Sequence, residues 1–531
     1  MSEPTYLELE YPRRRFLAIS AAAAAAATLG PYLNAADALA KQGKKVAWPH
    51  KQLTARDAVK VNKHQFMPVR QFRRWNEKLD SIGPANQLGL RATGSRSHER
   101  YVDDLRDLLD RAGVEHLRFE NAPMDRWTTD TWSFDLVDGS AAGPVRTASY
   151  IPYSGSTPPQ GVTAPLALVP AGTTPAAGSL IGKIAVFDVP LTIVPYTFFT
   201  ALSYPGRTYD PTGQIQSQLY KRPYLNGVVP ILEAIQAAGA VGAVGVLDFP
   251  ATGADGSYFP YDGHIRGIPG LYVDRNVGAK LKDQASAGTT ARLTLPAAVE
   301  QVNTRNLIGF IPGRSKDIVA LHCHTDGSNA IEDNGPGAIV AIAQYLARLP
   351  RKALPCKVMI LLTTGHFAGG NGSRAFRARH ANDLVPQTKA ALTLEHLGLL
   401  RWEEIGGVMG PAGGYEAGAI FTPGSAPLVD ASFSALRRAN SFPASVLKPL
   451  NPNASGDPNQ AAWPGEGQYL FAGGGMSDAN YITGPTYLLN WGIETVDRCD
   501  HRQLRAEAIA FTEMILQLGR TPRDQLQAYT L

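Results

Sequence analysis

Cysteine is nearly missing from this 531-residue chain. The three thiols Cys323, Cys356 and Cys499 are too few, and odd in number, to make a disulfide framework, so covalent stapling is excluded as the basis of the fold. Long apolar runs are missing too: beyond the first forty residues no eighteen apolar residues follow one another, which excludes a stable membrane span. Charge of one sign is scarce. A net charge of +5 is small for this length, and no dense Lys/Arg block accompanies aromatic residues after the first twenty positions, so nucleic acid is not an expected partner. With 44% hydrophobic and 18% charged residues the chain belongs with globular proteins, and its length calls for two or more cores. There is no internal repeat.

The N-terminus is the most specific compositional signal. Arg13, Arg14 and Arg15 precede Phe16-Leu17, an Ala-rich weakly apolar run and then Ala38-Leu39-Ala40. This resembles a twin-arginine export signal. It predicts residues 1–40 as a cleaved signal, Lys41 as the mature N-terminus, and a periplasmic or secreted protein. That route delivers folded proteins, which fits the sparse thiols.

Residues 41–144 read as the opening of a globular domain. Tyr101, Leu105, Leu108, Leu109 and Ala112 recur at the spacing of a helix with one buried face, Gly113 stands where a left-handed cap is wanted, and "VEHLRFE" reads as a strand. From 145 to 300 short apolar runs alternate with Gly/Pro punctuation: "GKIAVFDVP" as a strand, "ILEAIQAAGAVGAVGVLDF" as a helix feeding a strand, "IPGLYVDRNVGAKLKDQASAG" as strand then helix. In that order the pieces resemble an inserted protease-associated (PA) domain. From 301 to 531 strands and helices alternate, and the strands are continuously apolar, which predicts an α/β fold with a mostly parallel sheet covered on both faces. The segment 450–467, rich in Pro, Gly and Asn, is expected to be a loop acting as a lid.

The chemistry concentrates in "ALHCHTDGSNAIEDNGPGAIVAIAQYL", which places His322, His324, Asp326, Glu332 and Asp333 within twelve residues, between a strand and a helix. Ligands of parallel sheets bind beyond the carboxyl ends of strands, and imidazole with carboxylate is a natural donor set for a divalent metal. The wider stretch, Asn306-Leu-Ile, His324-x-Asp326, a short loop, then Asp333-Asn-x-x-Gly, resembles the core of the co-catalytic zinc exopeptidases, the aminopeptidase and glutamate carboxypeptidase II type. "LRATGSRSHERYVDDL", "GNGSRAF" and "GGGMSDANY" match other blocks of that family, so the resemblance spans the whole mature chain and implies its fold.

Carried over position by position, the resemblance implies that His324 is a metal ligand, Asp333 a carboxylate bridging two metals, and Asp326 the residue that orients the ligating His. The later blocks depart from the family. Where it has Glu-Glu, this chain has His366-Phe367; where it has Asp, this chain has Glu395; where it has a ligating His, Ala479 brings no donor. Two complete metal sites cannot be assembled from what remains. An ordinary dinuclear aminopeptidase would need Glu403, Glu404 or Asp478 to supply the missing ligands.

The expectation is therefore an exported hydrolase with one divalent metal, zinc, held by His324, Asp333 and Glu395, with His366 as proton shuttle and Asp326 in support, acting on a peptide, amide or ester. Phe367 favours a less charged substrate. His322 and His396 are expected to be buried structural residues and Cys323 a core thiol. The alternative is a non-catalytic protein that kept the fold to bind a peptide or partner.

Overall fold

The computed structural model describes residues 46–529 except 85, 86, 88, 192, 223, 225–227, 451–462, 473, 474 and 494. The expected export signal and most of the expected lid lie outside the described residues.

The main sheet contains nine strands: β1 (Glu115–Thr129), β2 (Ser203–Tyr209), β3 (Ala297–Ile311), β4 (Ile318–His324), β5 (Lys357–Thr363), β6 (Thr388–Leu394), β7 (Gly418–Phe421), β8 (Ala444–Leu447) and β9 (Asp478–Thr483). Their spatial order is β1-β3-β5-β4-β6-β9-β7-β8-β2. The central run β5-β4-β6-β9 is parallel, as the apolar strands predict. On the flanks β1 pairs with β3, β3 with β5, β9 with β7 and β8 with β2 antiparallel, while β7 pairs with β8 parallel, so a parallel centre is joined to a mixed periphery.

Alternation along β4 separates the two faces. Val319, Leu321 and Cys323 enter a large core shared with the helices Arg96–Ala112 (α1), Gly335–Leu346 (α2), Ala426–Ala439 (α3) and His501–Arg520 (α4). Ile318 and Ala320 enter a smaller core with Met359, Leu361, Phe376 and Leu470 on the opposite face. Cys323 is the expected core thiol, and all three cysteines are buried and free. The helix α1 takes the predicted form: the Ser95 hydroxyl accepts from His98 N, and Gly113 closes the last turn at φ 88°. At the start of α2 a side chain on Gly335 would meet the Leu394 carbonyl oxygen at 2.1 Å, so only glycine lets this helix approach the end of β6.

Among the described residues a second sheet of eight strands is drawn from residues 133–294; it takes in Ser133–Leu136 and Gly143–Val145, so it begins ahead of the region 145–300 read as an insertion. One part of that region leaves it: β2 crosses over to form the edge of the main sheet beside β8. No helix among the described residues is long and apolar enough to cross a membrane.

Candidate metal centre

The cleft lies past the carboxyl ends of β4 and β6, and its first wall is His324. The ring Nδ1 of His324 donates to the carbonyl oxygen of Asp326 at 2.8 Å, which leaves the Nε2 lone pair free; Nε2 is buried and meets no hydrogen-bond partner. Both carboxylate oxygens of Glu332, Oε2 of Glu395 and Nε2 of His396 are likewise buried without a hydrogen-bond partner. These atoms converge. Donor atoms of His324, Glu395 and His396 lie within 4.8 Å of one another, and so do those of His324, Glu332 and His366. Buried polar atoms are normally satisfied, so a knot of unpaired lone pairs of this composition marks a candidate cation site.

Asp333 does not join it. Its two oxygens receive Nε and Nη2 of Arg91 at 2.7 and 2.5 Å, a bidentate pair in which both residues are fully buried. The neighbour Glu332 faces the cleft in its stead, so the expectation that Asp333 is a metal ligand is corrected. Arg91 is held from behind by the carbonyls of Leu79, Gly89 and Asn329, and its backbone pairs with Gly327.

His396 was expected to point away, by strand alternation from Glu395. That alternation fails because β6 ends at Leu394 and His396 takes φ 56°, a left-handed turn that brings its ring back over the cleft. The Nδ1 of His396 donates to the Thr483 carbonyl at 2.7 Å, and Nε2 lies 3.6 Å from Glu332 Oε1. His322 shares the strand face of His324 but sits one step deeper. Its two nitrogens are used by Thr393 and Thr363, both at 2.9 Å, and burial lowers it to about 3, so it is a neutral structural residue as expected.

His366 stacks on His324 with ring centroids 4.1 Å apart. Its Nδ1 meets Glu466 Oε2 at 3.0 Å and its Nε2 lies 3.4 Å from Glu332 Oε1. Burial opposes its charge, but the flanking carboxylates of Glu332 and Glu466 hold it well above the usual histidine value. Glu466 comes from the end of the 450–467 loop; it also accepts from Ser373 at 2.7 Å, and its backbone N–H donates to Glu395 Oε1 at 2.7 Å. Asp326 supports the centre differently from the expectation. Its carbonyl, not its carboxylate, orients His324, while the carboxylate accepts from Thr93 Oγ1 at 2.6 Å and from the backbone N–H groups of Phe367 and His366 at 2.9 and 3.3 Å, fixing the turn that carries His366.

Phe367 is fully buried against Tyr258 and Tyr261. Ala479 is buried in the apolar core. Glu403 pairs with Arg222 and Glu404 with Arg275, and Asp478 accepts from Thr393, so none of these acids completes a second metal site. Arg91, Glu332 and Glu466 were missed as site residues. Glu332 had a visible signal, an acid beside Asp333, and Arg91 and Glu466 lie in stretches already singled out, the block "LRATGSRSHERYVDDL" and the segment 450–467, although neither side chain was assigned a role there.

The packing of charge here makes stability depend on pH. Burial pushes Glu395 up to about 7 and Asp478 to about 8, and the flanking carboxylates hold His366 high. Above pH about 6.5 the unfolded chain has released these protons. The folded, metal-free chain keeps them, binds more protons than the unfolded chain, and so loses stability as pH rises from about 6.5 to 8. Thermal melts of chelated protein across that window should show a falling Tm, with a smaller fall in Glu395→Gln; a flat or rising Tm contradicts the assignment.

No protein-family model and no curated protein matches the chain. Solved structures do. An aminopeptidase from Aneurinibacillus sp. strain AM-1 superposes with a TM-score of 0.55 at 15% identity, over 86% of this chain and 96% of the other. The zinc aminopeptidase BSAP of Bacillus subtilis gives 0.57 at 15% identity over 88% and 95%. A peptidase M28 precursor of Shewanella amazonensis SB2B gives 0.58 at 16% identity over 88% and 95%. The chain has the mixed α/β fold of the co-catalytic zinc exopeptidases.

Proposed function

We propose that the protein is an exported hydrolase of an amide, peptide or ester bond that works with one divalent metal ion, zinc, held by His324, Glu332, Glu395 and His396. The observations that support this most directly are that donor atoms of His324, Glu395 and His396 lie within 4.8 Å of one another, that Glu332 Oε1 lies 3.6 Å from His396 Nε2, and that each of the four side chains has a buried donor atom without a hydrogen-bond partner. Two imidazoles and two carboxylates are a donor set suited to zinc. Removal of Asp333 from the cleft by Arg91, with Phe367 and Ala479 bringing no donor, argues for one ion rather than two.

A divalent ion at this position supplies a Lewis acid that polarises a carbonyl and makes water a nucleophile near neutral pH. The chain does the rest. His324 is fixed in the tautomer that presents the Nε2 lone pair, because its Nδ1–H donates to the Asp326 carbonyl. His366 lines the cavity above the cluster and is held through Nδ1 by Glu466, so its Nε2 is placed to pass a proton between attacking water and leaving group. Phe367, Tyr258 and Tyr261 close the floor beside it against water.

Hydrolysis of a broad panel of amides and esters should be abolished by chelation and restored by zinc. His366→Ala should lower kcat about 10²–10⁴-fold while leaving the metal content unchanged. Hydrolysis indifferent to chelation overturns the proposal. If no substrate turns over, the second reading, a non-catalytic binding protein, takes its place; the Arg91–Asp333 pair is the observation that favours it.

A further inference from the structure

Above the donor cluster lies a cavity of about 430 Å³, a volume within the range of small-molecule sites. Its walls include Tyr196, Phe199, Tyr220, Tyr261, Phe421 and Trp463. The charged groups that reach it, Glu332, His366 and His396, all sit at the floor and belong to the candidate metal centre. The cations close behind the wall are spent: Arg222 is fully buried, donates to Glu416 Oε1 at 2.5 Å and to the Gly484 carbonyl at 2.6 Å, and stacks 4.5 Å from the Tyr220 ring centre, while Lys221 pairs with Asp248 at 2.8 Å and Lys448 lies over the Tyr204 ring. Tyr196 closes the pair by donating to Glu416 at 2.8 Å. Among the described lining residues outside the candidate metal centre, an incoming carboxylate finds no cation and an ammonium finds no carboxylate. Much of this wall comes from one excursion of the insertion, the short helix Tyr196–Ala201 and the strand Leu219–Lys221 paired with Ile193–Pro195, next to the point where β2 joins the main sheet.

We infer that the excursion 193–221 is a specificity element, and that the substrate is a neutral aryl or branched-alkyl ester or amide whose apolar group enters this cavity carrying neither a free ammonium nor a carboxylate. The reaction class rests on the proposed function; the ligand class rests on the cavity alone.

The two are separable by measuring binding without turnover. Nile red, a neutral dye, would be displaced from the full-length protein, metal-loaded and chelated, by phenyl alkyl ketones of rising chain length, which cannot be hydrolysed, and by phenylalanine amide and 3-phenylpropionate as charged analogues. The ketones should compete in both metal states, tightening roughly fourfold per methylene until the cavity is full, and the charged analogues should bind at least about tenfold more weakly. Ala419→Trp, which fills the cavity, and Phe199→Asp, which charges it, should each weaken the ketones about tenfold or more in protein whose melting transition is retained. Charged analogues binding as tightly as ketones overturn the inference even if both variants fail to fold. So does an Ala419→Trp protein that folds and keeps full affinity. Ketone binding without any ester or amide hydrolysis sinks the proposed function and leaves this inference standing; hydrolysis without ketone selectivity does the reverse.

Discussion

Glu332→Ala loses the metal, by at least about a hundredfold in affinity, whereas Asp333→Asn keeps it. Removing a ligand from a four-donor site costs more than removing an outer partner, whose loss is worth about 10–100-fold. Glu332 presents both oxygens to the cleft, and despite its burial the neighbouring His324, His366 and His396 hold its carboxyl well below the ordinary value, so the melting transition of Glu332→Ala is measured beside its affinity to show that the loss is of a ligand and not of the fold. Asp333 is the reverse case, because both its oxygens are spent on Arg91. Competition against a chromogenic zinc chelator separates the two variants. Equal loss in both, or loss in Asp333→Asn alone, would return the bridging role to Asp333.

Arg91→Met should destabilise the protein by about 3–5 kcal/mol, the cost of leaving a buried charge without its partner. Arg91 and Asp333 are both fully buried, and Arg91 also satisfies three backbone carbonyls, so the upper part of that range is expected. Asp333→Leu in the same chain should recover part of the loss, since the carboxylate is then gone while the carbonyls stay unpaired. The denaturant midpoint of the single and double variants, measured on metal-free protein, checks this. A double variant no more stable than Arg91→Met would mean that the two residues do not act as a pair.

Much of the fold was legible because it rests on local pattern. The apolar strands "DIVALHCH" and "CKVMILLTT" are strands β4 and β5, the 3-and-4 spacing of Tyr101, Leu105, Leu108 and Leu109 is helix α1, and Gly113 caps it as read. The antiparallel flanks were not legible, since which edge a strand joins depends on contacts far along the chain; β2 leaves the inserted region to pair with β8 across more than two hundred residues. The site was half legible. Donor atoms of His324 and Glu395 lie within 4.8 Å of one another, and His366 stacks on His324. Asp333 was placed by the resemblance, and it lies with Glu332 in a turn where the two acids face different partners; His396 was placed by alternation, which applies only inside a strand, and it is past the end of β6 at a positive φ. Arg91 decides which of the two acids faces the cleft; it lies in the block "LRATGSRSHERYVDDL" matched to the family, but local pattern does not show that its side chain reaches Asp333. Glu466 emerges from a segment whose Pro, Gly and Asn content says only that it is not regular structure.

The central claim is that one metal ion, not two and not none, sits on His324, Glu332, Glu395 and His396. Elemental analysis of the full-length protein purified from its native host without chelators tests it most directly. One equivalent of zinc per chain in the wild type, retained in Asp333→Asn and lost in Glu332→Ala, is the predicted result. Two equivalents, or a folded wild type that takes up no divalent ion at saturating zinc, would contradict it.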